Sequence, residues 1–287
     1  MKKMKVGMLV QLPVGGNLED ELREVHELGF SLLQLGIREI ELMRSESFAQ
    51  HTAALLKKYG ITLTQIRARW RAPAVWDLYD GPSTLGIVPS AYRAARTDDI
   101  LASALFARRL DCNVISTHLG FIPTDPRSQD YVGVVQAMKA ICAELARHGQ
   151  VFMAETGQEP PNVLRRLIED VKMDNLQVNY DPANLITCGM ANPIDGLDLL
   201  GEFTKEVHAK DGVYPINGQV AGLQMPVGKG AVNFPAFLKR LRQFGFEGVL
   251  CIEWERDMWN QVVVPPEQRR KEIVEAKVYL EELCETM

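Results

Sequence analysis

Four side chains in this sequence share one local setting. Glu155 closes Val151-Phe-Met-Ala-Glu155, Asp181 closes Leu176-Gln-Val-Asn-Tyr-Asp181, His208 closes Thr204-Lys-Glu-Val-His208 and Glu253 closes Val249-Leu-Cys-Ile-Glu253. Each run is short, reads as a strand and is followed by turn residues and a helical pattern, and all but Thr204-Lys-Glu-Val are largely apolar. Three carboxylates converging in one cleft repel each other and resist joint ionisation unless a cation lies between them. With one imidazole added, such an oxygen-rich set suits one divalent ion, Mn²⁺ first, with Mg²⁺, Co²⁺ or Zn²⁺ as alternatives. A lone acidic residue after a strand is usually a helix cap or a solvated charge; four in succession are harder to explain that way. His118, ending Ile115-Ser-Thr-His118, adds a fifth polar group, which either orients a substrate hydroxyl or bonds to backbone. His26, His51 and His148 lie in helical patterns and read as surface residues.

Convergence requires a scaffold that gathers strand ends. Strand-like runs at 6–12, 31–35, 61–68, 114–118, 151–155, 176–181, 204–208 and 249–253 alternate with helical periods. The helices carry recognisable ends: Asn17, Asn192 and Asn233 as N-caps, Pro193 at a first helical position, and Gly29, Gly60 and Gly149 as stops. Helical patterns include 48–59, 98–110 and a closing helix at 266–284. Eight strand–helix units predict an α/β fold of the (β/α)8 TIM-barrel type over an open sheet, as one domain covering residues 1–287. The turn Leu12-Pro-Val-Gly-Gly-Asn17 lacks the GxGxxG fingerprint that an open dinucleotide-binding sheet would usually show there.

Two connections exceed plain turns. Residues 69–97 hold Trp70, Trp76, Tyr79 and three prolines; residues 210–231 hold glycines 212, 218, 222, 228 and 230. Both follow strand C-termini, where barrel enzymes build their sites and where long loops often act as lids. The first loop has a second reading as a subunit contact; a homodimer or homotetramer is the expected assembly. Trp70, Trp76, Tyr79 and Trp254 are candidates to shape a pocket.

The bulk properties agree with an enzyme acting on small molecules. Of 287 residues 46% are hydrophobic, enough for a sizeable core. Lys and Arg number 32 against 37 Asp and Glu, a formal charge of −5, without the basic clusters of a nucleic-acid binder. No stretch approaches the ~18 apolar residues of a membrane span. The N-terminal apolar run is broken by Gln11 and Pro13 and reads as a first strand, not a signal sequence. Five dispersed cysteines (112, 142, 188, 251, 284) without CxxC spacing read as free thiols, which fits a reducing, cytoplasmic setting.

Nearly the whole chain resembles the sugar phosphate isomerase/epimerase superfamily, the xylose isomerase-like TIM barrels that include D-tagatose 3-epimerase, hydroxypyruvate isomerase and inosose dehydratase. The motifs that carry the resemblance are Thr117-His118-Leu-Gly120, Glu155-Thr-Gly-Gln158, Asp181-Pro-Ala-Asn184, His208-Ala-Lys-Asp211 and Ile252-Glu253-Trp-Glu255. Val227-Gly-Lys-Gly230 and the Val232-Asn-Phe-Pro-Ala-Phe237 stretch after it add a similar glycine turn and helix.

The resemblance implies that Glu155, Asp181, His208 and Glu253 bind the metal. It further implies that Glu155 and Glu253 act as acid and base on an α-hydroxy carbonyl compound passing through an enediolate. It makes His118, Gln158, Asn184, Lys210, Asp211 and Trp254 candidates for substrate contact. Lys210 and Asp211 also read as histidine-orienting groups or as a loop salt bridge, and Gln158-Glu159-Pro-Pro as a simple helix entry. One departure stands out. Tagatose-type epimerases carry a histidine shortly after the metal aspartate, where this chain has Asn184; an amide bonds a hydroxyl but cannot share a proton at neutral pH.

The expectation is therefore a metal-dependent isomerase or epimerase of a small sugar or keto-sugar. A dehydratase of a keto-polyol, of the inosose or dehydroshikimate type, is the nearest alternative. An AP-endonuclease-like activity ranks lower, given the acidic balance and too few histidines for a trinuclear zinc cluster. A non-catalytic binding barrel ranks last.

Overall fold

A computed structural model describes residues 4–216 and 219–286. Eight parallel strands close a barrel: β1 (Lys5–Leu12), β2 (Leu32–Ile37), β3 (Thr62–Arg67), β4 (Val114–Thr117), β5 (Val151–Glu155), β6 (Leu176–Tyr180), β7 (Thr204–Ala209) and β10 (Val249–Ile252). Each pairs with its neighbour in sequence, and β10 returns to β1 through the register Lys5↔Val249 to Met8↔Ile252. A two-stranded antiparallel ribbon, β8 (Asp211–Gly212) and β9 (Gln224–Met225), sits in the long glycine loop and was not expected. Its residues are too few to show a period. Gly218, one of that loop's five glycines, lies outside the described residues.

The helices form where amphipathic spacing and capping agree. Asn17, Asn192 and Asn233 accept from backbone N–H groups two or three residues on, as N-caps do. Gly60 ends its helix with φ 64°, a conformation that a side chain would oppose. The helix Pro161–Val171 turns Leu164, Leu167, Ile168 and Val171 into the core, and Pro266–Thr286 closes the chain against β1 and β10. All five cysteines are free and buried. No described helix is long and apolar enough to cross a membrane.

Two helical features depart from expectation. The helix foreseen from residue 98 runs over Ser90–Arg109. Its first two turns carry little apolar period because the buried inward residue is Arg96, whose guanidinium donates to the carbonyls of Thr84 and Gly86 at 2.7 Å. The connection after β3 shortens accordingly and contains one further helical turn, Gly81–Thr84. A six-residue helix, Pro182–Thr187, also follows β6 directly. Its N-cap is Asp181, whose Oδ1 accepts from the Asn184 N–H at 2.8 Å.

Candidate metal centre

Glu155 is the last residue of β5, His208 the fifth residue of β7, and Asp181 and Glu253 stand one residue beyond β6 and β10. Adjacent parallel strands thus deliver their C-terminal ends to one mouth. One ligand atom from each of the four residues lies within 4.8 Å of the others, and all four side chains are buried. Asp181 serves in two ways: Oδ1 caps the helix, and Oδ2 faces the cluster.

The charges are ordered around the His208 ring. Nδ1 is 3.0 Å from Glu155 Oε1, 3.2 Å from Glu253 Oε2 and 3.9 Å from Asp181 Oδ2. The other ring nitrogen, Nε2, is 2.6 Å from Gln34 Oε1. The Gln34 amide in turn donates to Glu206 Oε2 at 2.6 Å. Because Gln34 Nε2 points at a carboxylate, Gln34 Oε1 is the acceptor and Nε2 of His208 carries the proton. That leaves Nδ1 as the nitrogen directed at the carboxylates. Backing of this kind fixes the tautomer and ring orientation of a metal-binding histidine.

Arg67, at the end of β3, forms a buried ion pair with Glu155 Oε2 and lies 3.9 Å from Glu253 Oε1. Lys210, 2% exposed, donates to Glu253 Oε2 at 3.2 Å and to Glu255 Oε2 at 3.0 Å. His118 Nε2 lies 3.1 Å from Glu155 Oε1, and Asn184 Nδ2 donates to the same oxygen at 3.3 Å.

These neighbours divide the three acids. Burial works against ionising Glu155, but Arg67, His118 and His208 hold its pKa well below the usual carboxylate range. Burial works against Glu253 also, and Lys210, His208 and Arg67 lower it. Asp181 goes the other way: burial, reinforced by Glu253, pushes it up to about 8 against the pull of Lys210. Burial disfavours the charged form of His208, yet Glu155 and Glu253 bring it up to about 10. Burial dominates at His118 and lowers its pKa. Without a cation the cluster therefore leans on protons to balance its carboxylates.

The donor set fits a divalent ion. Two buried oxygens, Asp181 Oδ2 and Glu253 Oε1, have no hydrogen-bond partner, and buried polar atoms are rarely left so. A divalent ion among three carboxylates and one imidazole, whose ligand atoms lie within 4.8 Å of one another, would give those orphaned atoms a use.

Of the residues expected to meet substrate, His118, Gln158, Asn184 and Lys210 line a cavity beside the cluster, together with Arg67, Arg69, Trp76 and Glu255. Gly157 keeps its wall tight: a Cβ there would approach Asn184 Cβ and His118 Cε1 to 3.3 Å. Trp254 lines a neighbouring cavity shared by Glu253 and Glu255, and its indole N–H is given to Glu272 Oε2 at 2.7 Å. The Asp211 carboxylate is taken up by its own loop. It accepts from the N–H groups of Gly212, Gly228, Gly230 and Val232 at 2.8–3.0 Å. Trp70 and Trp76 wall a further cavity of about 460 Å³, and Trp76 meets His118 edge-on with ring centres 5.0 Å apart. Tyr79 is 69% exposed and is not on these walls. His26 and His51 are exposed on their helices, and His148 is exposed in the turn just past the helix Gln129–Ala146 instead of within it.

Gln34, Arg67, Arg69 and Glu206 were not singled out in the sequence. Only Gln34 carried a signal, as a polar residue inside the otherwise apolar Leu32-Leu-Gln34-Leu; Arg67, Arg69 and Glu206 sit in or beside strands of mixed character.

An eight-stranded parallel barrel with a buried acid–histidine cluster at the strands' C-terminal mouth defines a TIM barrel with a candidate metal site. The chain belongs to the xylose isomerase-like TIM barrel family, whose model matches residues 22–282. A xylose isomerase domain protein from Planctomyces limnophilus is similar at 29% identity with a TM-score of 0.86, over 98% of this chain and 97% of that one. The fold extends to a 3-keto-D-glucoside 4-epimerase from E. coli (18% identity, TM-score 0.68, 96% and 100% covered). It also extends to a probable 3-DHS dehydratase involved in petrobactin synthesis from Bacillus anthracis (18%, 0.65, 96% and 99%). An uncharacterized protein of Methanocaldococcus jannaschii is 25% identical over 162 residues, 51% of this chain and 52% of its own length. The match thus spans about half of that curated relative.

Proposed function

We propose that the protein is a divalent-metal-dependent isomerase or epimerase of a small sugar or keto-sugar, with Glu155 and Glu253 exchanging protons with the substrate. One observation carries the reading: two buried glutamates flank the same His208 nitrogen at 3.0 and 3.2 Å, each with its own cationic partner. Glu155, Asp181, His208 and Glu253 would hold one ion, Mn²⁺ by the chemistry of the donors. When bound, the ion supplies Lewis-acid polarisation of a substrate carbonyl, which acidifies the neighbouring C–H.

The chain's own groups divide the remaining work. Arg67 keeps Glu155 ionised and so able to accept a proton from the carbon beside the carbonyl. Glu253 would pass to the substrate, from its own side of the site, a proton supplied by the Lys210 ammonium that donates to it at 3.2 Å. Release of the Glu155 proton to solvent with reprotonation of Lys210 would close the cycle. General acid–base transfers of this kind contribute about 10²–10⁴-fold when the groups lie within hydrogen-bond reach. Gln158 and Asn184 present amides to hydroxyl groups, and His118, held neutral by burial, can orient another. The free buried thiols accord with work in the cytoplasm. Both an epimerase and a probable dehydratase share this fold, and Asn184 stands where the tagatose-type epimerases have histidine. Loss of a β-hydroxyl after proton abstraction is therefore the competing outcome.

The deciding experiment incubates purified, Mn²⁺-supplemented protein with ketohexoses, ketose phosphates, keto sugar acids and keto-inositols in D₂O. The expected result is an isomeric sugar carrying deuterium next to the carbonyl, without ultraviolet absorption. A conjugated enone would replace the isomerase reading with the dehydratase one. Absence of both exchange and product across these substrates would overturn the proton-transfer assignment.

A further inference from the structure

Two arginines stand two residues apart, Arg67 at the end of β3 and Arg69 just beyond it, and both line the cavity at the cluster. Arg67 is committed to Glu155. Arg69 has no hydrogen bond or ion pair among the described residues, although it lines both the cavity at the cluster and the neighbouring cavity of about 460 Å³.

The other charges around that larger cavity are engaged. Arg71 clasps Asp99 through Nε at 2.9 Å and a terminal nitrogen at 2.6 Å. Glu39 accepts from the Gly15 N–H at 2.7 Å, Glu41 faces Arg44 at 3.8 Å, and Arg38 has partners of its own. Burial and the nearby Arg67 charge push the Arg69 guanidinium down to about 10 against the attraction of Glu255 and Glu253, neither of which it pairs with directly, and it stays cationic at neutral pH. Once a divalent ion is bound, Arg67, Lys210 and that ion together match the four carboxylates of Glu155, Asp181, Glu253 and Glu255. Arg69 is then the cation left over.

A guanidinium fork without an acceptor, set beside a second cation, is suited to a planar carboxylate or a phosphate held through two parallel hydrogen bonds. Trp70 and Trp76 on the same walls offer flat faces for a carbon skeleton.

We propose that Arg69 binds an anionic group on the substrate, so that the class of substrate is a sugar acid or a sugar phosphate and not a neutral ketose. The inference rests on the isomerase or epimerase reading only for the carbon skeleton; anion binding by Arg69 stands or falls separately.

The test measures binding without turnover, using three polyols that lack a carbonyl: D-glucitol, D-gluconate and D-glucitol 6-phosphate. Calorimetric titration is run on the wild-type protein and on R69M and R69K. One of the two anions should bind about ten- to a hundredfold tighter than glucitol, the range for a hydrogen-bonded charge pair. R69M should erase that preference and R69K retain part of it. The tighter anion tells carboxylate from phosphate. Equal affinity for all three polyols would overturn the proposal, and so would a preference that survives in R69M, as direct ligation of gluconate to the metal would produce. Anion binding that depends on Arg69, in a protein inactive on every sugar tried, would instead remove the isomerase reading and leave this one standing.

Discussion

Gln34 and His208, 174 positions apart, meet across the barrel interior with Oε1 of the amide 2.6 Å from Nε2 of the ring. The contact sets which imidazole nitrogen faces the three carboxylates, and Glu206 sets the amide by accepting from its nitrogen. Replacing Gln34 with methionine keeps the volume close and removes both polar ends. The expected result is a ten- to hundredfold weaker affinity for Mn²⁺, the usual effect of losing a residue that orients a metal-binding histidine. Competition titration against a metal-binding dye reads it directly. Unchanged affinity in a Q34M protein that folds normally would show that the ring is held by packing alone.

The cluster as a whole should take up about one divalent ion per chain. Metal that binds the folded state alone stabilises it by about 2.7 kcal/mol when its concentration is a hundred times Kd. Elemental analysis of the purified protein, with thermal melts before and after dialysis against EDTA, checks both statements. An absence of metal, together with no activation and no thermal shift on adding Mn²⁺ or Mg²⁺, would sink the metal assignment.

Turnover should depend on both glutamates. E155Q and E253Q each keep the side-chain shape and lose the carboxylate that can take up and give a proton, so each should lower kcat about 10²–10⁴-fold with near-UV circular dichroism unchanged. Deuterium exchange from solvent into substrate gives the same information one step earlier. Near wild-type turnover in either variant would refute the two-glutamate mechanism.

The four residues of the cluster were legible because each closes a strand-like run, largely apolar in all but that of His208, and strand ends are where a closed parallel sheet gathers side chains. The barrel was legible for a related reason: caps such as Asn192-Pro193 and stops such as Gly60 punctuate the alternation of strand and helix. The groups that tune the cluster were harder to see. Gln34 points inward from an otherwise apolar strand and Arg67 ends a strand of mixed character, and only a partner remote in sequence reveals their use. Asp211 illustrates the opposite difficulty. Its place in His208-Ala-Lys-Asp211 resembles a site motif, yet its oxygens are filled by four backbone N–H groups of the glycine loop. Arg96 hid two turns of helix because a buried cation breaks the apolar period that a sequence reader follows.

Glu159 should give the folded protein a pH dependence of its own. The residue follows Gln158 in the turn after β5, is 2% exposed, and has a carboxylate oxygen, Oε2, without a hydrogen-bond partner. Burial pushes its pKa well above the ordinary value, and the charge of Glu155 adds to the rise. In the unfolded chain the same group titrates near ~4.3. The native state therefore binds this proton more tightly than the unfolded state does. Its contribution to stability is complete below the unfolded pKa, and it declines as pH rises toward the folded one, at up to about 1.4 kcal/mol per pH unit. E159Q cannot titrate and should escape the decline. In metal-free protein, urea unfolding of wild type and E159Q at several values between pH 5 and pH 8 should give curves that diverge as pH rises, with the variant gaining. Parallel curves would mean that Glu159 is already ionised in the folded protein, held by a partner that burial alone does not supply.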